Sequence, residues 1–245
     1  MLFWIIRGCL SGRDSNPNAY LCRVSELPNS FHTIAAATEA EFKDRGSRFL
    51  GYACPVQHEE EAMAFVESLR KEHFKARHHC YAWRLGTGGD RFRANDDGEP
   101  SGTAGRPMLG RIDAAGLTDV VVVVVRYFGG TLLGTSGLIN AYREAAAAAL
   151  QAATVIEKVI EDTFWLDFDY ALMPDLMQAL KKWDMHILAQ DFTDRGRMRI
   201  GLRRGQASDQ LLNLKAALLK VSNDEAAGMD WPGGMTIESG GVVFV

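Results

Sequence analysis

Two stretches of the chain gather side chains able to do chemistry. Arg77-His78-His79-Cys80 precedes Asp96-Asp97-Gly98-Glu99 by about one hairpin's length of chain. Imidazole, thiol and carboxylate groups are the donors of hydrolytic metal sites and of acid–base pairs. Neighbouring residues on a strand point to opposite faces, so His78 and His79 reach one ion only across a bulge. No two histidines stand four apart on a helix, so neither a metal nor a cofactor is expected. Cys80 beside a histidine could be a nucleophile, but a strand cysteine is more often buried and inert.

Gly129 to Ser136 reads GGTLLGTS between a β-branched run and a helix. This nearly matches a phosphate loop, but Thr135 stands where the lysine that neutralises phosphate should be. What survives is an anion held by amides at a helix start, with Arg126 nearby, through Gly129, Gly130 and Gly134. The alternative is that these glycines only permit a tight strand-to-helix turn. The polar segment Asp97–Gly105, with Ser101 and Thr103, is rich in turn formers and backbone donors. With Arg77, His78, His79, Arg126 and Tyr127 it could line one ligand pocket at the end of a sheet. Far along the chain, Arg195, Arg197, Arg199 and Arg203 surround one hairpin, and alternation places them on one face. With Trp165 as a stacking surface they form a candidate nucleic-acid face. Asp167, Asp169, Asp191 and Asp194 dilute that charge, so a solvated surface stays open as the other reading.

The elements that must position these groups follow from periodicity. Strands are predicted over Phe31–Thr38, Arg48–Cys54, Arg77–Leu85 and Val120–Phe128, the last an unbroken β-branched run that demands cover on both faces. Helices are predicted over Glu59–His73, whose apolar residues recur at helical spacing, and over Leu138–Ala153, capped by Thr135 or Ser136. Asn95–Pro107 carries no large apolar residue and reads as a loop, and Leu109–Asp119 as a weak helix or turn. After about residue 155, strands and helices run in the order β-α-β-β-α-β. Strict alternation over Glu161–Tyr170 opens the series, a turn at Asp194-Arg195-Gly196 marks its hairpin, and Met235–Val245 closes it.

The totals bound the class. With 245 residues, 47% hydrophobic and 24% charged, the chain can bury two ordinary cores. A net charge of -4 argues against a general phosphate-backbone binder. Four widely spaced cysteines suit free thiols in a reducing compartment. No apolar run approaches a membrane span, so no membrane contact and a cytoplasmic location are expected. The expected division is an extension over residues 1–30, a first domain over 31–157 and a second over 158–245.

ARHHCYAW (Ala76–Trp83), DDGEPSGTAGRPML (Asp96–Leu109) and VVVRYFGGTLLGTSGLINAY (Val123–Tyr142) resemble, in that order, the blocks of the IMPACT family, bacterial YigZ type. The resemblance covers about residues 41–150. The motif positions it carries over are Arg77, His78, His79, Asp97, Glu99, Gly102, Thr103, Gly105, Pro107, Arg126, Tyr127, Gly129, Gly130, Gly134 and Gly137. It implies an α+β protein: a ribosomal-protein S5 domain 2-like domain, then a ferredoxin-like (βαββαβ) domain related to the last domain of translocase elongation factors. Eukaryotic members regulate translation. The expected function is therefore a non-enzymatic binding protein acting on translation through the ribosome, RNA or a translation-factor partner. The alternative is a hydrolase or small-anion-binding enzyme using His79, Asp97, Glu99 and Arg126.

Overall fold

Residues 28–245 are described by a computed structural model of the chain. Most of the expected extension over 1–30 lies outside them, and Ser30 already opens a strand. The described residues fall into two compact units, 30–158 and 159–245, with residues 28–29 grouped with the second. The division falls inside one long strand. No helix among them is long and apolar enough to cross a membrane.

The first unit runs β1 (Ser30–Ile34), β2 (Thr38–Asp44), β3 (Ser47–Pro55), α1 (Glu59–Glu72), β4 (His78–Leu85), β5 (Arg91–Asn95), α2 (Gly105–Ala114), β6 (Val120–Tyr127) and α3 (Gly134–Gln151), and then enters β7 (Val155–Phe168). Five strands form an antiparallel sheet ordered β2-β3-β6-β4-β5. The central strand is the β-branched run, and all six valines from Val120 to Val125 are buried. Val120, Val122 and Val124 pack with Met108, Ile112 and Ala145 under α2 and α3. Val121, Val123 and Val125 pack with Ala62, Val66 and Leu69 of α1. Cover on both faces is what a strand without polar alternation requires.

Three local expectations need correction. Asn95–Pro107 is not all loop, because α2 begins at Gly105 and continues through most of the supposed weak helix. The helix starts early because the Asp96 carboxylate accepts the amides of Ala104 and Gly105, replacing the cap that the local sequence lacks. The long helix α3 begins at Gly134, with Thr135 and Ser136 inside its first turn and no side-chain cap. Leu133 already has helical angles, so the turn closes before the hydroxyls are reached. β2 was not expected, since its TEAEFKD sequence is mostly charged. It is held by seven register pairs to β3 across a turn in which Arg45 and Gly46 both have positive φ.

The second unit holds the rest of β7, then α4 (Met173–Lys182), β8 (His186–Phe192), β9 (Gly196–Arg203), α5 (Ala207–Leu219), α6 (Asn223–Ala227) and β10 (Met235–Phe244). Its antiparallel strands are ordered β10-β7-β9-β8. Phe164, Leu166 and Phe168 bury themselves with Leu176, Leu180, Ile200, Leu211 and Leu214 beneath α4 and α5. Both units are mixed α+β, each built on an antiparallel sheet.

Candidate functional site

The motif residues of the first unit meet at one end of its sheet, but on two faces. Arg126 pairs in register with His78 on β4 and Phe49 on β3, so these three share the face covered by α2 and α3. Arg126 Nη1 donates to Glu99 Oε1 at 2.6 Å, and the Tyr142 hydroxyl donates to the same oxygen at 2.8 Å. Both charged side chains are buried. The guanidinium also stands over the rings of Phe49 and Phe128, at 5.4 and 5.6 Å. Burial pushes the Tyr142 hydroxyl well above its ordinary range. Burial likewise raises the Cys80 thiol, which donates to the Asp96 carbonyl at 3.0 Å. A thiol held protonated is no nucleophile.

The opposite face carries the other half. His79 is 5% exposed and aligns with Val125, under α1. Burial lowers its pKa, the nearby Asp97 only partly countering this, and its Nε2 has no partner. Tyr127 alternates with Arg126 and so lies here too, where His73 bonds both its hydroxyl, at 3.0 Å, and that of Tyr52, at 2.8 Å. Burial pushes the Tyr52 hydroxyl up to about 12. The expected convergence of His79, Asp97, Glu99 and Arg126 on a common point therefore does not form. Strand alternation separates His79 and Tyr127 from Arg126 and Glu99. The single pocket drawn from all of them is corrected in the same way.

The carboxylates are spent inside the fold. Asp96 accepts the amides of Gly102, Ala104 and Gly105, at 2.8 to 3.0 Å. Burial works against its charge, yet these three donors hold its carboxyl below the usual range. Asp97 sits at positive φ, accepts the His79 amide at 2.7 Å and pairs with Arg70 at 2.8 Å. Its carbonyl accepts from His78 Nδ1. Thr103 is buried and donates to the Pro100 carbonyl. Gly105 and Gly129 are needed for close approach: a Cβ on Gly105 would meet the Asn95 amide at 2.5 Å, and one on Gly129 would overlap the Gly46 carbonyl. What faces solvent is Arg77, Ser101, Gly129, Gly130, Gly134, Phe128 (58% exposed) and Leu132 (83% exposed). Among the described residues no three His, Cys, Asp or Glu side chains are grouped to hold a metal.

The arginine row of the second unit is broken up. Arg195 precedes β9 and is tied to Asp169 and to the Gly234 carbonyl. Arg197 and Arg199 stand over Trp165, at 4.6 and 5.9 Å from the ring centre. Arg197 faces Asp167 at 3.5 Å, and Arg199 donates to Thr163 Oγ1 and to the Gly240 carbonyl. Arg203 ends the strand, exposed. Trp165 is thus half-buried under its own arginines rather than free to stack.

Sequence reasoning passed over Tyr142, Arg70 and His73. Tyr142 stands inside the resembling block, but only the packing shows that it completes the Glu99 pair. Asp96, a metal donor by residue type, is instead the organiser of its loop.

Residues 45–150 match the family described as the Impact N-terminal domain. An IMPACT family member of Haemophilus influenzae is 41% identical over 160 residues, 64% of this chain and 77% of its own. IMPACT family member YigZ of Escherichia coli is 38% identical over 165 residues, 66% of this chain and 81% of its own. A solved structure of a hypothetical protein is 34% identical, covers 79% of this chain and 93% of its own, and superposes with a TM-score of 0.61. The chain belongs to the IMPACT family, and its relatives are of the YigZ type.

Proposed function

We propose that this is a cytoplasmic, non-enzymatic binding protein that regulates translation by docking on the ribosome, its RNA or a translation factor. The observation that carries the reading is the fate of the motif carboxylates. Asp96, Asp97 and Glu99 are each consumed by partners within the fold, and Cys80 is a buried thiol. The motif then serves as scaffold for the exposed residues Arg77, Ser101, Gly129, Gly130 and Gly134 and for the exposed side chains of Phe128 and Leu132. Large apolar side chains held in water by a rigid base are typical of a docking surface. The role in translation comes from the family's eukaryotic members. The hydrolase alternative is weakened by the separation of His79 from Arg126.

The same reading takes the first unit as a ribosomal-protein S5 domain 2-like domain and the second as ferredoxin-like. The second assignment is supported by the chain order β7-α4-β8-β9-α5-β10 and the sheet order β10-β7-β9-β8. The reading sets the domain limits at 31–157 and 158–245. A second docking surface, for RNA, remains at Arg195, Arg197, Arg199 and Arg203, although three of these charges already have partners.

Co-sedimentation of the full chain with ribosomal subunits tests the proposal. Binding should be lost in Leu132→Ser, an exposed position, and in Phe128→Ser, which also gives up the ring beside Arg126, and kept in Arg197→Ala with Arg199→Ala. Absence of binding to ribosomes, ribosomal RNA and translation factors at low salt would sink it. Loss confined to the arginine variant would move the surface to the second unit.

A further inference from the structure

We propose that the second unit contains a binding site for a free α-amino acid, at the end of the sheet where β7, β8 and β9 meet the start of α5. A cavity of about 190 Å³ lies there, bordered by Glu161, His186, Arg203, Gln210 and Asp184. Its floor is unusual. Glu161 is 2% exposed, and its Oε1 lies 2.8 Å from His186 Nδ1, yet its Oε2 is buried with no partner. Gln210 Oε1, also on the cavity, is likewise buried and unpartnered. Gly201 leaves room for the carboxylate, since a Cβ there would overlap Glu161 Oε2.

Two orphaned acceptors, one of them charged, call for a donor with several N–H bonds. Such atoms are almost always satisfied in folded proteins, by protein or by an occupant. An ammonium group is the donor suited to the charged one, Glu161 Oε2, through a charge-assisted bond. Arg203 borders the same cavity and, among the described residues, has no ion-pair partner. Its guanidinium is a fork shaped for a carboxylate. An amine alone would leave Arg203 without a role, and an anion alone would face the unpaired Glu161 oxygen. A zwitterion carrying both groups a few bonds apart answers Glu161 and Arg203 together. The volume fits that size: roughly six times the ~30 Å³ that one liquid water occupies. It is also below the ~300 Å³ at which pockets for drug-sized ligands begin. A nucleotide is too large, and a single water too small.

Isothermal titration of the full chain with each common free α-amino acid tests the site, with ethylamine and acetate as controls. At least one amino acid should bind in the millimolar range or tighter, and the controls far more weakly. Glu161→Gln and, separately, Arg203→Ala should each weaken binding by about tenfold or more, the size expected for one charge-assisted contact. Arg203 is exposed, so that variant keeps the test open if Glu161→Gln fails to fold. No heat from any amino acid overturns the proposal and leaves a cavity of water. Equal binding of ethylamine, undiminished by Arg203→Ala, also overturns it.

Discussion

The Glu99–Arg126–Tyr142 triad sets the energetics of the first unit's end. A buried ion pair adds little net stability, because desolvation offsets the attraction, but removing one member strands the other. Glu99→Gln should therefore destabilise the first unit by about 3–5 kcal/mol. Adding Arg126→Met should return much of that loss, since no charge is then left without its partner. Hydrogen exchange of the β6 amides reads both effects, and a double variant no better than Glu99→Gln would refute the account. His79 gives an independent signature. Burial depresses its pKa in the folded state, so the unfolded chain takes up its proton first as the solution is acidified. Its stabilising share is present above the unfolded value of about 6.5 and is lost as pH falls through that value. The first unit should weaken as pH falls below about 6.5, and His79→Leu should flatten that slope. An unchanged slope in the variant would place the acid sensitivity elsewhere.

At the scale of elements, Asp96 shows how one side chain decides where a helix begins. Asp96→Ala removes the acceptor of three amides and should cost about 2–3 kcal/mol, with loss of exchange protection over Gly102–Gly105 and the first turn of α2. The folded carboxyl lies below its ordinary range, so this contribution holds above about pH 4 and fades as pH drops further. The same protection loss should appear in the unsubstituted protein under acid. Elements whose cause is local were legible in the sequence. The valine run, the alternation in the second half of β7 and the β8–β9 hairpin all carry their periodicity in consecutive residues. Elements whose cause lies elsewhere in the chain were not. α2 starts where Asp96 reaches across eight and nine residues, and the charged strand β2 exists because β3 pairs with it. The candidate site divides the same way. Its residue types announced themselves, but the split between two sheet faces came from alternation on β4 and β6, which only a settled register fixes. Tyr142 stands in an alanine-rich helix, and only packing sets its hydroxyl on Glu99.

For the whole molecule, net charge separates the two possible docking surfaces. The chain carries -4, so no uniform field draws it to a polyanion such as the ribosome. Binding through Phe128 and Leu132 rests on apolar burial, which salt leaves nearly unchanged or slightly strengthens. Binding through the arginines of β9 would release counterions from RNA, and affinity would fall steeply with added salt, with a slope that grows with each phosphate contacted. Arg197 and Arg199 already face Asp167, Thr163 and Trp165, so they must give up existing contacts before they can serve RNA. The expected outcome is ribosome association that changes by less than about threefold between 50 and 200 mM salt, where roughly six phosphate contacts would cost about a thousandfold. Co-sedimentation across that range checks it. A steep decline, abolished by Arg197→Ala with Arg199→Ala, would assign the interface to the second unit and reduce the exposed motif residues of the first to a folding requirement of its glycines.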